Sequence, residues 1–249
     1  MAMDYNKTLN LPKTDFPMRG NLPKREPETL KKWEDERLYY KMIEKNKDKK
    51  PYILHDGPPY ANGQIHLGTA LNKTLKDFII KHKNMSGYYA PYVPGWGTHG
   101  LPIELKAMKE IGVENGAIPP VELRKQCKNF ALKHVKSQME QFKRLGSIGD
   151  YDDPYLTLKP EYEARQVEVF GKMAKEGYMY KGLKPVYWCP DCNTALAEAE
   201  IEYANDPCTS IYVKFNVVDD KGIFTSMGID LSKVYFVIWT TTTWTIPGN

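Results

Sequence analysis

Tyr52-Ile53-Leu54-His55-Asp56 reads as a short strand, and Gly57-Pro58-Pro59-Tyr60-Ala61-Asn62-Gly63 follows it at once. A run so rich in Gly, Pro and Asn ends a strand and makes a turn. From His66 to His82, Leu67, Leu71, Leu75 and Ile79 recur every four residues, with Phe78 beside them. That spacing predicts an amphipathic helix whose apolar stripe packs back on a sheet. Residues 88–94 read as another strand. Strand, loop, helix and strand over 52–94 have the shape of a βαβ unit, which points to a layered α/β fold. The loop-to-helix junction can also carry chemistry. A helix N-terminus presents unpaired N–H groups and positive potential, a natural phosphate seat. His66 adds a donor there, and Gly68 lets a flat ligand approach the backbone. A capped helix with a surface His explains the same residues without a ligand, and spacing alone leaves both readings open.

Around this unit the chain is simple. Residues 1–24 read as an extended arm. Leu30, Trp33, Leu38 and Ile43 predict a helix over about 26–44, and Lys45 to Lys50 form a solvated polar break. Leu123, Cys127, Phe130, His134, Phe142 and Leu145 predict one face of a long helix over 119–145. Another helix is predicted over 161–176, with Pro160 and two acidic residues at its start. From Lys184 the character changes. Val186-Tyr187-Trp188, Ile211 to Phe215 and Val234 to Trp239 are β-rich, so a boundary is placed near Gly182. Hydrophobic residues make up 41% of the chain, enough for a core and against wholesale disorder. Four Cys cannot form a dense disulfide scaffold. No apolar run approaches the ~18–20 residues of a membrane span, and Met1 to Lys13 lacks the apolar stretch of a signal peptide. The cytoplasm is the default expectation. A net charge of +4 permits a nucleic-acid partner without demanding one.

Three further patterns stand out. Gly95-Trp96-Gly97-Thr98-His99-Gly100 spells G-x-G-x-x-G, the fingerprint of a dinucleotide-binding oxidoreductase. Pro102 follows at once, and no acidic residue closes a clear second strand some 20 positions on. Cys189-Pro190-Asp191-Cys192 is a C-x-x-C pair after a strand. It fits half of a zinc site better than a redox pair, which needs its first Cys at a helix N-terminus. Thr240-Thr241-Thr242-Thr243 would place adjacent hydroxyls at the end of a strand, where they can line a polar pocket or simply favour β structure.

Four blocks, taken together, resemble a known family. Asp56 through Lys73 is similar to the first signature of class I aminoacyl-tRNA synthetases, in the form of the isoleucyl branch. Val93-Pro94-Gly95-Trp96-Gly97-Thr98-His99-Gly100-Leu101-Pro102-Ile103-Glu104 resembles that branch's second block. Lys184 to Cys192, followed by Ala195 to Glu200, resembles the lead-in to its inserted domain, and Trp239 to Thr245 its editing strand. The matches are collinear from about residue 10 to 249. The resemblance implies an α/β fold: the first half of a Rossmann-type catalytic domain over 45–182, after an N-terminal arm and helix over 1–44. The start of a β-rich inserted editing domain would fill 183–249, truncated.

The resemblance also implies roles. Pro59, Tyr60, Asn62, Gly63, His66, Gly68 and Thr69 would form the ATP signature, with His66, Gly68 and Thr69 at the chemistry. Gly57, Pro58, Trp96 and Gly97 would border the amino-acid pocket. Thr240, Thr241, Thr242, Thr243 and Asn249 would serve editing of mis-attached valine, and Cys189 and Cys192 would be half of a zinc knuckle. Two positions depart from the family. Thr69 stands where the signature has a second His, and Gly97 where an Asp holds the substrate ammonium. Thr69 keeps a hydroxyl and can cap the helix. ATP with Mg2+, isoleucine and tRNA(Ile) are the implied partners, with zinc in a longer protein, no membrane, and a monomeric state. The competing readings are a non-catalytic fragment that keeps ATP or tRNA-acceptor contacts, the valyl or leucyl branch, and a nicotinamide-dependent oxidoreductase.

Overall fold

The computed structural model of the chain describes residues 5–10, 15 and 19–248. The chain divides into two compact units, 1–184 and 185–249.

In the first unit the single helix expected over 26–44 is two: α1 (Leu22–Asp35) and α2 (Leu38–Asn46). The break falls at Arg37, whose backbone is left-handed at φ 50°. Its guanidinium lies 4.0 Å over the Tyr40 ring and pairs with Asp152 at 3.0 Å. Neither contact leaves a trace in hydrophobic spacing.

The crossover helix α3 (Leu67–Met85) connects two parallel segments, as the βαβ reading requires. Those segments are not full strands. They meet at two parallel bridges, Pro51 with Tyr89 and Tyr60 with Gly97. Pro51, Pro58, Pro59, Pro91 and Pro94 have no N–H to give a ladder, so pairing is reduced to isolated bridges. Beyond the second segment, β1 (Gly95–Trp96), α4 (Leu101–Ile111), α5 (Pro120–Arg144) and β2 (Tyr155–Leu156) follow. β1 and β2 pair in parallel, Gly95 opposite Tyr155 and Trp96 opposite Leu156. A Cβ on Gly95 would meet the Tyr155 ring at 2.0 Å, so only glycine fits there.

The face of α3 is the main correction. Leu67, Leu71, Leu75, Phe78 and Ile79 are exposed, and the buried face carries Lys73, Asp77, Ile80 and Asn84. Every polar group on that inward face is partnered. Lys73 meets Asp56. Asp77 accepts from the Ile148 N–H at 3.0 Å and from Lys81 at 2.6 Å. Asn84 donates to the Ile80 and Ala90 carbonyls at 3.0 and 2.8 Å. Periodicity gives the helix and its two stripes, but paired polar groups can win the inward side.

The main core joins Trp96, Ile103, Ala107, Phe130, Ala131, Val135, Phe142 and Leu156. Trp96 stacks on Phe142 with centroids 5.9 Å apart. On α5 the expected face holds at Phe130 and Phe142, whereas Leu145 is exposed and Gln138 is buried. Helix α6 (Pro160–Lys175) buries no residue.

The second unit has two antiparallel hairpins. β3 (Tyr187–Cys189) pairs with β4 (Thr194–Leu196), and β5 (Ile211–Asn216) with β6 (Tyr235–Thr240). The strand stops at Thr240, opposite Ile211. Thr241 and Thr242 turn a corner, and Thr243 opens a 3-10 segment reaching Gly248. The four threonines therefore do not alternate across one strand. Among the described residues no helix is long and apolar enough to cross a membrane.

Candidate functional site

The first two blocks lie side by side in the first unit. The Gly97 N–H donates to the Pro59 carbonyl and the Ala61 N–H donates to the Gly97 carbonyl, both at 2.9 Å. The Gly57–Gly63 turn is thus laid along Trp96–Gly97. The Asn62 amide donates to the Pro102 carbonyl at 3.1 Å, which ties the same turn to the first residues of α4. Tyr60 is half exposed, and its ring lies against Gly97. Trp96 is fully buried, so its ring backs the turn from the core side.

His66 is the N-cap of α3. Its backbone is extended, and its side chain accepts from the Thr69 N–H at Nδ1, 3.3 Å away. The cap is therefore the imidazole, not the Thr69 hydroxyl that the sequence suggested. An accepting Nδ1 assigns the ring proton to Nε2. A Cβ on Gly68 would come 3.0 Å from the His66 Cε1, so glycine lets the ring fold over the first turn. His-x-Gly is thus a geometric unit: an extended cap, a folded-back imidazole and a bare backbone at the positive end of a 19-residue helix.

Beneath the turn sits a buried charge cluster that sequence reasoning did not single out. The fully buried Asp56 carboxylate takes Lys73, Lys76 at 2.7 Å and the Gly95 N–H at 3.0 Å. Burial opposes the charge on Asp56, but Lys73, Lys76 and the Gly95 N–H outweigh it and hold the carboxyl below its usual range. Burial also pulls Lys73 below the usual lysine range, against the attraction of Asp56. The Tyr155 hydroxyl donates to the Asp56 carbonyl, and the Tyr155 ring stacks on His55 at 6.0 Å. One residue thus binds the turn to α3, β1 and β2.

A second group was also missed. The Gln138 amide nitrogen donates to the Tyr60 and Gly63 carbonyls at 3.0 and 2.9 Å, and its oxygen accepts from the Trp96 indole at 3.0 Å. One turn on, the Gln141 oxygen accepts from the Ile65 N–H at 2.9 Å. A signal existed: Gln138 falls on the inward row Ala131, Val135, Gln138, Phe142, where an amide must find partners.

In the second unit, Cys189 and Cys192 flank the β3–β4 turn, with the Cys192 N–H 3.4 Å from the Cys189 sulfur. The Cys192 N–H, then its thiol, pull the Cys189 thiol below its usual range. A closed zinc site takes four ligands. Among the described residues no three His, Cys, Asp or Glu side chains gather to hold a metal. The donors present among the described residues do not complete a zinc site. The Thr240 and Thr242 hydroxyls lie 3.1 Å apart, and Thr240 also accepts from the Thr242 N–H. Asn249 lies outside the described residues.

Comparison with known proteins matches this arrangement to a family. Residues 28–244 match tRNA synthetases class I (I, L, M and V). The chain is 66% identical over 247 residues to isoleucine–tRNA ligase of Thermoanaerobacter sp. (strain X514), covering 99% of the chain and 26% of that protein. It is 67% identical, with the same coverage, to isoleucine–tRNA ligase of Caldanaerobacter subterraneus subsp. tengcongensis. It spans about a quarter of the length of these curated relatives. Among solved structures, the Agrobacterium radiobacter K84 agnB2 LeuRS in a ternary complex with tRNA and LeuAMS shares the fold. Its TM-score is 0.58 at 21% identity, over 74% of this chain and 21% of that one. The signature turn laid on the second block, the imidazole-capped helix and the match over 28–244 lead to one conclusion: the chain belongs to the class I tRNA synthetases.

Proposed function

We propose that the chain is the part of an isoleucine–tRNA ligase that grips ATP and borders the isoleucine pocket. In the whole reaction the isoleucine carboxylate attacks the α-phosphorus of ATP and pyrophosphate leaves; a terminal hydroxyl of tRNA(Ile) then takes the isoleucyl group from the adenylate and AMP leaves. His66 would donate from Nε2–H to phosphate oxygens as charge builds on the five-coordinate phosphorus, beside the positive end of α3. Thr69 would add its hydroxyl where the signature usually has a second imidazole. Pro59, Tyr60, Asn62 and Gly63 would shape the nucleotide side of the turn, and Gly57, Pro58, Trp96 and Gly97 the amino-acid side. Mg2+ would arrive with the ATP phosphates. The second unit would begin the inserted editing domain, with Thr240 to Thr243 and Asn249 in the site that hydrolyses mis-attached valine. Such a site is needed because one methylene separates valine from isoleucine. A single chain would suffice, in the cytoplasm.

The observation that carries this reading is the pair of backbone bonds joining Pro59 and Ala61 to Gly97, in a chain two-thirds identical to isoleucine–tRNA ligases. Isoleucine-dependent exchange of pyrophosphate into ATP tests it, with this chain in a protein of its relatives' length. Exchange with isoleucine that His66→Ala abolishes is expected. Exchange that follows leucine or valine instead would overturn the assignment. With the 249 residues alone, Mg-ATP binding without exchange would identify a binding portion, and isoleucine-dependent exchange would exclude that reading.

A further inference from the structure

We propose that Gln138 is a positioning residue that sets the nucleotide turn against the second block, so that the ATP and amino-acid sides of the site keep one spacing. The proposal rests on the reading of residues 57–69 as the nucleotide site. Three bonds converge on one buried amide. Its nitrogen gives both protons to the Tyr60 and Gly63 carbonyls, at the middle and the end of the turn. Its oxygen accepts the indole proton of Trp96, next to Gly97. The orientation is forced. Carbonyls only accept and the indole only donates, so a flipped amide would lose all three bonds. No other side chain of this length does the same work. Glutamate would set a carboxylate against two carbonyl oxygens, methionine fills the volume without a bond, and asparagine is one methylene short.

The helix that carries Gln138 makes the link stiff. Val135 and Phe142 on the same face are buried in the core, and Phe142 stacks on the Trp96 ring that Gln138 holds. Gln141 extends the grip to the Ile65 N–H, immediately before the His66 cap. The turn, the cap and the second block are therefore referenced to α5. A shift of the Gln138 amide moves the Tyr60 and Gly63 carbonyls and the Trp96 indole together.

Amide hydrogen exchange and NMR titration with Mg-ATP, on the chain and on Gln138→Met and Gln138→Glu, test the proposal. In Gln138→Met the Ala61 and Gly97 amides are expected to exchange about tenfold faster, as loss of a buried bond dictates. The Trp96 indole N–H resonance should move, and Mg-ATP should bind about tenfold more weakly. The Ile80 and Asn84 amides on α3 should keep their protection. Gln138→Glu should recover part of the loss as pH falls from about 8 to about 5, because burial against two carbonyl oxygens raises the new carboxyl and its protonated form donates one bond again. Unchanged exchange at Ala61 and Gly97 would overturn the proposal. So would unchanged Mg-ATP affinity in Gln138→Met, and so would equal loss at Ile80 and Asn84 in both variants, which would make Gln138 only part of the core. Absence of any Mg-ATP response in the unsubstituted chain would strike the nucleotide reading itself, while the exchange arms still decide whether Gln138 sets the turn.

Discussion

Asp56→Asn removes one charge from a buried site. Lys73 is 2% exposed and faces Asp56, while Lys76 at 16% can turn to solvent. Breaking a buried pair by removing one partner costs roughly 3–5 kcal/mol, because the other charge stays behind. Two contacts soften this. The Tyr92 hydroxyl lies 3.3 Å from the Lys73 ammonium, and the Phe142 ring 4.8 Å from it. Asparagine can still accept from the Gly95 N–H. The expected loss is therefore at the low end, about 3 kcal/mol near neutral pH. Urea unfolding followed by helical circular dichroism measures it, since α1 to α6 all lie within the first unit. Adding Lys73→Met to Asp56→Asn should restore most of the loss, because no charge is then left unpaired. The pH dependence has a fixed sign. Asp56 has a folded value below its unfolded one, so its contribution is full above about pH 4 and fades as pH falls through the folded value. The gap between the chain and Asp56→Asn should narrow in acid. A loss below about 1 kcal/mol, or a double variant no better than Asp56→Asn, would refute the reasoning.

Other expectations are direct. Ile80→Ala should cost about 2–5 kcal/mol and Leu75→Ala within about 0.5 kcal/mol, since Ile80 is buried and Leu75 half exposed; equal losses in urea unfolding would mean that α3 is turned the wrong way. Gly97→Asp should tighten isoleucine by about 1.5–3 kcal/mol, less the cost of moving the Tyr60 ring 3.2 Å from the new Cβ. Titration of isoleucine into Gly97→Asp at the relatives' length would show it, and unchanged affinity would remove Gly97 from the pocket. Cys189 should alkylate faster than Cys208 near pH 7, because its lowered value leaves more thiolate; peptide mapping after brief iodoacetamide treatment decides.

Local chemistry was legible in the sequence, and partner choice was not. The Gly57–Gly63 turn and the His66 helix start follow from residue type and order, and the Trp96–Gly97 block from the resemblance. The C-x-x-C pair was likewise seen as flanking a turn after a strand. What escaped was set by contacts across 17 to 115 positions. Asp56 reads as the end of a strand until Lys73 is found beneath it, and Gln138 as one more polar residue on a long helix. The inward face of α3 was misjudged for the same reason. A leucine stripe is assumed to face inward unless the opposite stripe is known to be paired, and that pairing with Asp56 and Ile148 is tertiary. Arg37, at the break between α1 and α2, pairs with Asp152, 115 positions away and outside any window of neighbouring residues.

The central claim, that the imidazole-capped start of α3 and the turn before it seat ATP phosphates, is tested most directly by Mg-ATP titration of the 15N-labelled chain. The expected result is saturable movement of the Gly63, Gly68 and Thr69 amides, lost in His66→Ala while the Ile80 and Asn84 amides stay in place. Movement confined to other residues, or movement that His66→Ala leaves intact, would contradict it.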